Sequence, residues 1–449
     1  MEETTEKDKR IEELERQVKT LLEEINRLRK ELDEWKRGFR VRKRRFSSRP
    51  ERKPDSERKR PGRKNGHTGA GRKAPDHVDR TEHRVLDLCP DCCVMMSDTG
   101  EAETVRVEDI IPARVEVVEY ILHTFECPCC HRTVKATPPA ELGKQPKTGM
   151  GVQTLAVSLR TEFKMTWEAI SEYFETHVGM RITPSGVAQM VARLAERSRP
   201  GVAEIEAEIR SSPFAHLDET GWPEDGLPRW GWVAATPTAT RFLIAPTRSR
   251  VEVDALLGGS YMGHVVSDFL PVYTGDETRA HQFCWAHLIR EAKKVAEVDP
   301  RPRTEEFRDR LVAIYRRALV AQATQDEGMK HGVRVALGIL AADRRLSRHP
   351  EVARLQRRID LEFHALLAFL DYPDLPADNN HAEREIRSLV LTRKISGGTR
   401  SSRGSDTVST WASIYRTLRK QDIPLAPYIR QMQSSYHLGT PPPSIFARN

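Results

Sequence analysis

The residues best suited to chemistry in this sequence are acidic side chains at the ends of separate predicted elements. Asp218 closes the strand-like run that begins at Phe214, and Asp268 closes another that begins at His264. A third acid lies within 378–387, whose later part has the apolar spacing of a helix. Because open α/β sheets bind ligands at the carboxyl ends of their strands, we expect the two aspartates to lie close together.

Carboxylates that come from separate elements are typical of two-metal phosphoryl transfer. Mg²⁺ is a hard ion that prefers a few carboxylates together with substrate phosphate oxygens. One metal activates the attacking water or 3′-hydroxyl, and the other stabilises the leaving oxygen. We therefore predict a reaction on phosphodiesters that depends on Mg²⁺ or Mn²⁺.

Cysteines form a second group with recognisable spacing. Six of the seven fall between Cys89 and Cys130, in an arrangement that favours a metal site over disulfides and a reducing, cytosolic setting. Two CxxC turns are separated by a stretch whose residues favour strands, namely Val115, Val117, Val118, Tyr120 and Phe125. Because structural Zn²⁺ commonly takes four thiolates, we predict a zinc ribbon with the ligands Cys89, Cys92, Cys127 and Cys130. Cys93, Cys129 and His131 remain alternatives for one of the four.

The element pattern around the acids predicts a mixed sheet. Strand-like runs begin at Phe214, Trp230, Arg241 and His264, with a helix near 251–257 before the last of them. Three strands in meander order, a helix and a further strand suggest the start of a ribonuclease-H-like core. Helical patterns at 307–318, 333–342 and 355–370 predict an α-helical insertion between the second and third acids.

A helical region precedes this core. It contains Trp167 and the residues after it, a turn near Gly179, and a second helix that Thr183 can cap with Pro184 in its first turn. The arrangement resembles a helix-turn-helix whose second helix would enter a major groove. The alternative is a helical hairpin that serves only in packing.

The amino-terminal segment carries a heptad pattern. Apolar residues alternate three and four apart, at Ile11, Leu14, Val18, Leu21, Ile25, Leu28, Leu32 and Trp35. β-Branched residues in the first set and Leu in the second favour a parallel two-stranded coiled coil, so we predict a homodimer. The alternative is a single amphipathic helix packed on its own chain.

A strongly basic segment follows the heptads. Between Lys36 and Lys73 there are 17 Lys and Arg against three acids, whereas the whole chain carries a net charge of +8. Such a segment cannot bury enough apolar surface to fold, and its usual partner is a polyanion. We predict a disordered arm that contacts DNA, the alternative being a solvated basic linker. The candidate DNA-binding residues are Arg42, Lys43, Arg44, Arg45, Arg58, Lys59, Arg60, Arg63 and Lys64.

Membrane insertion and secretion are disfavoured by the sequence. No run approaches the roughly 18 apolar residues of a membrane helix, and the amino terminus lacks the apolar stretch of a secretory signal. We therefore expect a cytoplasmic protein without a membrane partner.

Four stretches carry a resemblance to a known family. They are His216-Leu-Asp-Glu-Thr-Gly-Trp222, Ser267-Asp-Phe-Leu-Pro-Val-Tyr273, Cys284-Trp-Ala-His287 and Asp378-Asn-Asn-His-Ala-Glu-Arg384. They resemble the blocks of DDE transposases, in particular the bacterial insertion-sequence sixty-six family, and the order of parts is similar over nearly the whole chain. The resemblance implies that Asp218, Asp268 and Glu383 are the catalytic acids. It also implies DNA transposition, in which element ends are cleaved and their 3′-hydroxyls are joined to target DNA.

Neighbouring acids compete for these roles. Glu219 is adjacent to Asp218, and Glu385 lies two residues after Glu383. Residues two apart on a helix point to different faces, so we do not expect both glutamates to serve.

The predicted fold class is a multidomain α/β protein with a ribonuclease-H-like catalytic core. The predicted domains are a coiled coil (1–36), a basic arm (37–79), a zinc ribbon (80–140), a helix-turn-helix-like region (141–212), the core (213–400) with an insertion at about 300–372, and a helical tail (401–449). The alternative function is a noncatalytic DNA-binding regulator with a degenerate nuclease-like core. A metal-dependent nuclease without joining activity would use the same site.

Overall fold

The computed structural model describes residues 115–139, 148–274 and 279–446, together with 23, 27, 77–83, 90–91, 93–95 and 104–105. The heptad positions of the predicted coiled coil and all candidate DNA-binding residues of the basic arm lie outside the described residues. Cys89 and Cys92 lie outside them as well. The chain divides into two units, residues 1–109 and 110–449, and the elements below belong to the second.

A short hairpin surrounds the second CxxC turn. Strands β1 (Thr124–Glu126) and β2 (Thr133–Lys135) pair antiparallel, with Phe125 opposite Val134. Residues 115–123 have no regular secondary structure, so the prediction of strands for that part was wrong. The side chain of Val117 is 89% exposed. β-Branched residues favour a strand only where a pleated, half-buried surface receives them, and this stretch has none among the described residues.

A five-stranded mixed sheet forms the centre of the described chain. Its order is β5-β4-β3-β6-β7; the first three strands in sequence pair antiparallel, and the last two run parallel to β3. All four predicted strand positions are confirmed. The strands are β3 (Phe214–Glu224), β4 (Leu227–Ala235), β5 (Thr240–Ala245), β6 (His264–Ser267) and β7 (His281–Phe283).

Helices surround the sheet and fill the segments between its strands. Before the sheet come α1 (Met150–Thr161), α2 (Trp167–Tyr173), a π-helical turn (Phe174–Val178), α3 (Pro184–Arg197) and α4 (Arg199–Ser211). Within and after it come α5 (Arg250–Leu257), α6 (Pro271–Thr274), α7 (Trp285–Val298), α8 (Pro302–Thr324), α9 (Glu327–Ala342), α10 (Pro350–Leu361) and α11 (Phe363–Leu367). The last described helices are α12 (Asn380–Ser396), α13 (Ser402–Lys420) and α14 (Leu425–Leu438).

The helices predicted between the second and third acids are confirmed. Helices α8 to α11 lie between β7 and α12, and they contain the three predicted helical stretches in longer or slightly shifted form. Within the described residues, none of the helices combines the length and apolar character that crossing a membrane requires.

Both faces of the sheet are covered. Helix α12 packs on β3 and β4, where Ile386 and Leu389 join a buried cluster with Trp222 and Phe242. Helix α13 packs along the edge strand β5, and its Ser413 hydroxyl accepts a hydrogen bond of 2.8 Å from the Phe242 amide. The other face packs against α5. The hydroxyl contacts of α13 help to protect β5 from pairing with another strand.

The helical region packs against the carboxyl-terminal helices. The predicted cap is confirmed, since the Thr183 hydroxyl accepts from the amide of Gly186 at 3.1 Å. Helix α3 contacts α1, α2, α13 and α14, and its exposed residues form one narrow stripe: Ser185, Gln189, Arg193 and Glu196. DNA contact through α3 stays a prediction that would use this stripe.

Candidate active site

The two predicted aspartates lie at matched positions on neighbouring parallel strands. In the β3–β6 ladder, Phe214 pairs with His264 and His216 pairs with Val266. The same register, continued for two residues, sets Asp218 beside Asp268, which directly follows β6. Adjacent strands are about 4.8 Å apart, so the sheet holds the two backbones close together.

Strand alternation separates Asp218 from its competitor Glu219. Side chains alternate between the faces of a strand, so Asp218 shares a face with Thr220, whose hydroxyl accepts at 3.1 Å from Arg393 of α12. Glu219 points to the opposite face. There its carboxylate accepts from the Tyr273 hydroxyl at 2.8 Å and forms an ion pair with Arg248. Asp218 is therefore the acid that faces α12.

The first turn of α12 carries Glu383, and helix α7 provides its neighbours. Its Oε1 atom lies 3.5 Å from Nε2 of His287 and 3.6 Å from a guanidinium nitrogen of Arg290. Neither contact is a hydrogen bond, and the same Oε1 atom is buried without a hydrogen-bond partner. A buried carboxylate oxygen without a donor is costly, so this position suits a bound cation.

Glu385 has a different environment on the same helix. Arg416 of α13 donates to both of its carboxylate oxygens, at 2.7 and 2.9 Å. Burial raises the pKa of Glu385, but the hydrogen bonds from Arg416 and the charge of Lys420 outweigh it and leave the pKa below its ordinary value. Glu385 therefore joins α12 to α13, while Glu383 is left on the side of the aspartates.

The electrostatics of Asp218 reflect the other acids. Burial is the largest cause that raises its pKa to about 8, followed by the charge of Glu219. The carboxylates of Asp268 and Glu383 raise it further, and the Glu219 amide, which donates to Asp218 at 2.8 Å, opposes the shift. The three predicted catalytic acids are thus close enough to interact through their charges.

The carboxylates are neighbours rather than a preassembled ligand set. Among the residues that the structure describes, no group of three or more His, Cys, Asp and Glu side chains stands close enough to hold a metal ion as it is. The donors still suit a hard cation: they are carboxylate oxygens, they repel one another, and Glu383 has an unsatisfied buried oxygen.

Asn379 connects the elements that carry the acids. Its side-chain amide donates to the Leu217 carbonyl at 2.6 Å, and its Oδ1 atom lies 3.0 Å from Nδ1 of His216. Its backbone amide donates to the thiol sulfur of Cys284, which directly precedes α7. One buried residue thereby contacts β3, α7 and the start of α12.

Sequence reasoning missed this role of Asn379. Two consecutive asparagines before a helix do signal a special environment. The partners of Asn379 are 95 to 163 residues away in sequence, however, so its contacts could not be read from local pattern.

The cysteines of the second CxxC turn have knuckle geometry. The backbone amide of Cys130 is the main cause that lowers the pKa of the Cys127 thiol, followed by the amide of Cys129 and the Cys130 side chain. Amide donors to sulfur stabilise a thiolate, which is the form that binds Zn²⁺. His131 is engaged elsewhere, 3.0 Å from the Glu126 carboxylate. The described half of the ribbon therefore fits a metal-binding knuckle.

Comparisons with known proteins place both regions. Residues 147–407, more than half of the chain, match the model described as Transposase IS66 family. Residues 87–131 match the zinc-finger binding domain of transposase IS66. The first match spans all three predicted catalytic acids, and the second spans all four predicted zinc ligands.

Two curated proteins of Sinorhizobium fredii (strain NBRC 101917 / NGR234) are also similar. Uncharacterized protein y4jD is 24% identical over 372 residues, which cover 74% of this chain and 71% of that protein. Uncharacterized protein y4jO is 27% identical over 177 residues, which cover 38% of this chain and 54% of that protein.

Proposed function

Since the chain belongs to the IS66 transposase family, we propose that it cleaves DNA at element ends and joins the freed 3′-hydroxyls to target DNA. The observation that carries this proposal is the grouping of Asp218, Asp268 and Glu383, whose charges interact: beyond burial and Glu219, the other two acids add to the raised pKa of Asp218. The other family-matched region, the zinc finger, would contribute DNA binding.

The sheet supports a ribonuclease-H-like reading of the core. A three-stranded antiparallel meander is followed by a helix and then by strands parallel to the first. This is the order of elements that the sequence predicted for such a core. This order matters for catalysis because it sets Asp218 of β3 beside Asp268, which directly follows β6.

Asp218, Asp268 and Glu383 are the residues that would hold Mg²⁺ or Mn²⁺. When bound, the metal supplies activation of the attacking hydroxyl and stabilisation of charge on the leaving oxygen. The unsatisfied Oε1 atom of Glu383 and the mutual repulsion of the acids are what support this assignment.

The reaction consists of two in-line displacements at phosphorus. In the first, water attacks, the bond to the 3′-oxygen breaks, and a 3′-hydroxyl and a 5′-phosphate remain. In the second, that 3′-hydroxyl attacks a target phosphodiester and releases the target's own 3′-oxygen as a hydroxyl. Arg290 and the exposed Arg384 flank Glu383 and would offset repulsion between the acids and DNA phosphates. No covalent enzyme intermediate is required.

The amino-terminal parts would organise the DNA. The coiled coil would join two chains so that two element ends meet, and the basic arm would add salt-dependent affinity. The ribbon would hold Zn²⁺ through Cys89, Cys92, Cys127 and Cys130.

A cleavage and joining assay tests the proposal. The full chain would be incubated with Mg²⁺ and linear duplexes that carry the sequences flanking its gene, and products would be separated on denaturing gels. We expect the Asp218→Asn variant to lose at least about 100-fold in both reactions while its DNA affinity stays within about twofold. Asp360→Asn, an exposed substitution on α10, serves as the matched control.

Three outcomes would contradict the proposal. Cleavage without joining would indicate a nuclease, and DNA binding without metal-dependent chemistry would indicate a regulator. Full activity in Asp218→Asn would remove that residue from the mechanism.

A further inference from the structure

A cavity of about 550 Å³ lies between the helical region and the turn that joins α12 to α13. Its charged lining residues are Arg160, Arg400 and Arg403, against the single carboxylate of Glu168, and Arg403 is already paired with Glu196 at 2.9 Å. Ala188, Ala192 and other small or apolar side chains form much of the remaining wall. The cavity is therefore positively charged at its edge and partly apolar inside, and its volume would admit a nucleotide.

Two cations beside this cavity, the buried Arg160 and the half-buried Lys164, form no ion pair among the described residues. Arg160 is 7% exposed, and its guanidinium donates to the Met165 carbonyl at 2.8 Å and to the Ser396 hydroxyl at 3.3 Å. Lys164 donates to the Ser388 hydroxyl at 3.2 Å. Among the residues that the structure describes, neither cation has a carboxylate within ion-pair distance.

The two cations also repel each other. Burial, followed by the charges of Arg160 and Arg416, lowers the pKa of Lys164 to about 8. Burial lowers the pKa of Arg160 to about 10, which the charge of Glu168 only partly offsets. Buried charges in proteins are normally paired, so this excess of positive charge points to an anionic ligand.

The opposite wall of the cavity is held rigidly. The amide of Thr399 donates to the Pro223 carbonyl at 3.0 Å, and the Thr399 hydroxyl accepts from the Trp222 indole at 3.0 Å. These contacts attach the turn to the end of β3. The backbone at Arg400 is thereby positioned before any ligand arrives, which lowers the entropic cost of binding.

Exposed cations connect the cavity with the acids. Helix α12 begins beside Glu383 and ends at Ser396, which lines the cavity. Between them, Arg384, Arg387 and Lys394 lie exposed along the helix. The helical rise from Glu383 to Ser396 is about 20 Å, which corresponds to about six base pairs of a duplex laid along α12.

We propose that this cavity binds the sugar-phosphate backbone of the DNA strand, at a phosphate about six base pairs from the one that is cut. Arg400 contacts the phosphate from the turn, and Arg160 balances its charge from inside. The proposal rests on the proposed function for the choice of DNA as ligand. It goes beyond that function by assigning a backbone-binding site distant from the acids.

Binding measurements without Mg²⁺ test this proposal independently of catalysis. The full chain, with its zinc retained, would bind fluorescent duplexes in buffer without added Mg²⁺ over a range of salt concentrations. We expect Arg400→Gln to weaken binding about fivefold and to reduce the salt slope by about one, equally for all sequences bound. Arg357→Gln, an exposed substitution on α10, is the matched control and should leave both the DNA affinity and the salt slope unchanged.

A scan of single neutral methylphosphonates along the duplex locates the contact. When one particular phosphate is replaced by a methylphosphonate, Arg400→Gln should no longer weaken binding. We expect that phosphate to lie about six base pairs from the cleavage position. Arg160→Met should show the same coupling, and its thermal unfolding would verify that the variant is folded. If no phosphate couples to Arg400, the cavity proposal is overturned, even where cleavage and joining are intact. Coupling without any cleavage would leave the cavity proposal standing and overturn the proposed function.

Discussion

The side-chain amide of Asn379 donates a hydrogen bond of 2.6 Å to the backbone carbonyl of Leu217. Leu217 directly precedes Asp218 in β3, and Asn379 directly precedes the helix that carries Glu383. A single contact between residues 162 positions apart thus sets the distance between two of the predicted catalytic acids. Asn379 is a positioning residue, because it acts on the acids through the backbone.

Truncation of Asn379 should affect catalysis more than binding. In Asn379→Ala the Leu217 carbonyl and the His216 ring lose their buried partner, which we expect to destabilise the fold by about 1–3 kcal/mol. The cleavage rate should fall at least about tenfold with DNA affinity unchanged, because the acids lose their fixed separation. Asn380→Ala is the matched control, and equal losses in both variants would contradict the positioning role.

The two glutamates of α12 should respond oppositely to the same substitution. Glu383→Gln should abolish metal-dependent cleavage while the melting temperature stays near that of the parent chain. Glu385→Gln should lower stability by about 3 kcal/mol, since it leaves Arg416 partly buried without its carboxylate. Cleavage and thermal unfolding would be measured for both variants, and a stable, active Glu383→Gln would transfer the role to another acid.

Asp218 should make the metal-free chain less stable as the pH rises. Its pKa of about 8 lies above the ordinary value of 3.8, so folding favours the protonated form. The contribution of the protonated Asp218 carboxyl to the free energy of unfolding is fully present below pH 3.8 and is lost as the pH rises through 8. Without added Mg²⁺ or Mn²⁺ at pH 8, Asp218→Asn should therefore be more stable than the parent chain by about 2–3 kcal/mol.

The pH series provides the control for that prediction. The difference between Asp218→Asn and the parent chain should shrink towards zero near pH 4, as measured by urea unfolding. Asp360→Asn should show no such trend. A stability difference that does not change with pH would mean that the carboxyl is not held protonated by its surroundings.

Zinc content should distinguish the cysteines of the second CxxC turn. We expect one Zn²⁺ per chain by elemental analysis, with loss of the metal in Cys127→Ser and Cys130→Ser. Cys129→Ser should retain the metal, because only the first and last cysteines of the turn are predicted ligands. If Cys129→Ser loses zinc and Cys130→Ser retains it, Cys129 is the zinc ligand in place of Cys130.

Two adjacent glycines should differ sharply in their tolerance of a methyl group. Gly398 has a φ of +106°, and an added Cβ would lie 2.1 Å from the Pro223 carbonyl oxygen. Gly397 has a φ of +69° with nothing within 4 Å of the added atom. We expect Gly397→Ala to cost about 1 kcal/mol and Gly398→Ala at least about 3 kcal/mol, measured by thermal unfolding. Similar losses of stability in the two variants would mean that the turn between α12 and α13 is not held against β3.

Local pattern was sufficient for much of the architecture. The strands that begin at Phe214 and His264, the cap at Thr183 and the helices of the insertion all follow from side-chain periodicity and capping chemistry. These features depend on residues a few positions apart. Asp218 and Asp268 were singled out by their position at the ends of predicted strands, and the resemblance to a known family added Glu383 and the catalytic roles.

The tertiary structure alone distinguished the acids from their neighbours. Glu219 and Glu385 each form an ion pair with an arginine about 30 residues away in the chain, Arg248 and Arg416, whereas Asp218 and Glu383 form none with either arginine. The cavity beside Arg160 also depends on contacts between the helical region and the turn after α12. Hydrogen bonds, ion pairs and desolvation act over a few ångströms in space, and only the folded chain decides which distant residues come within that range.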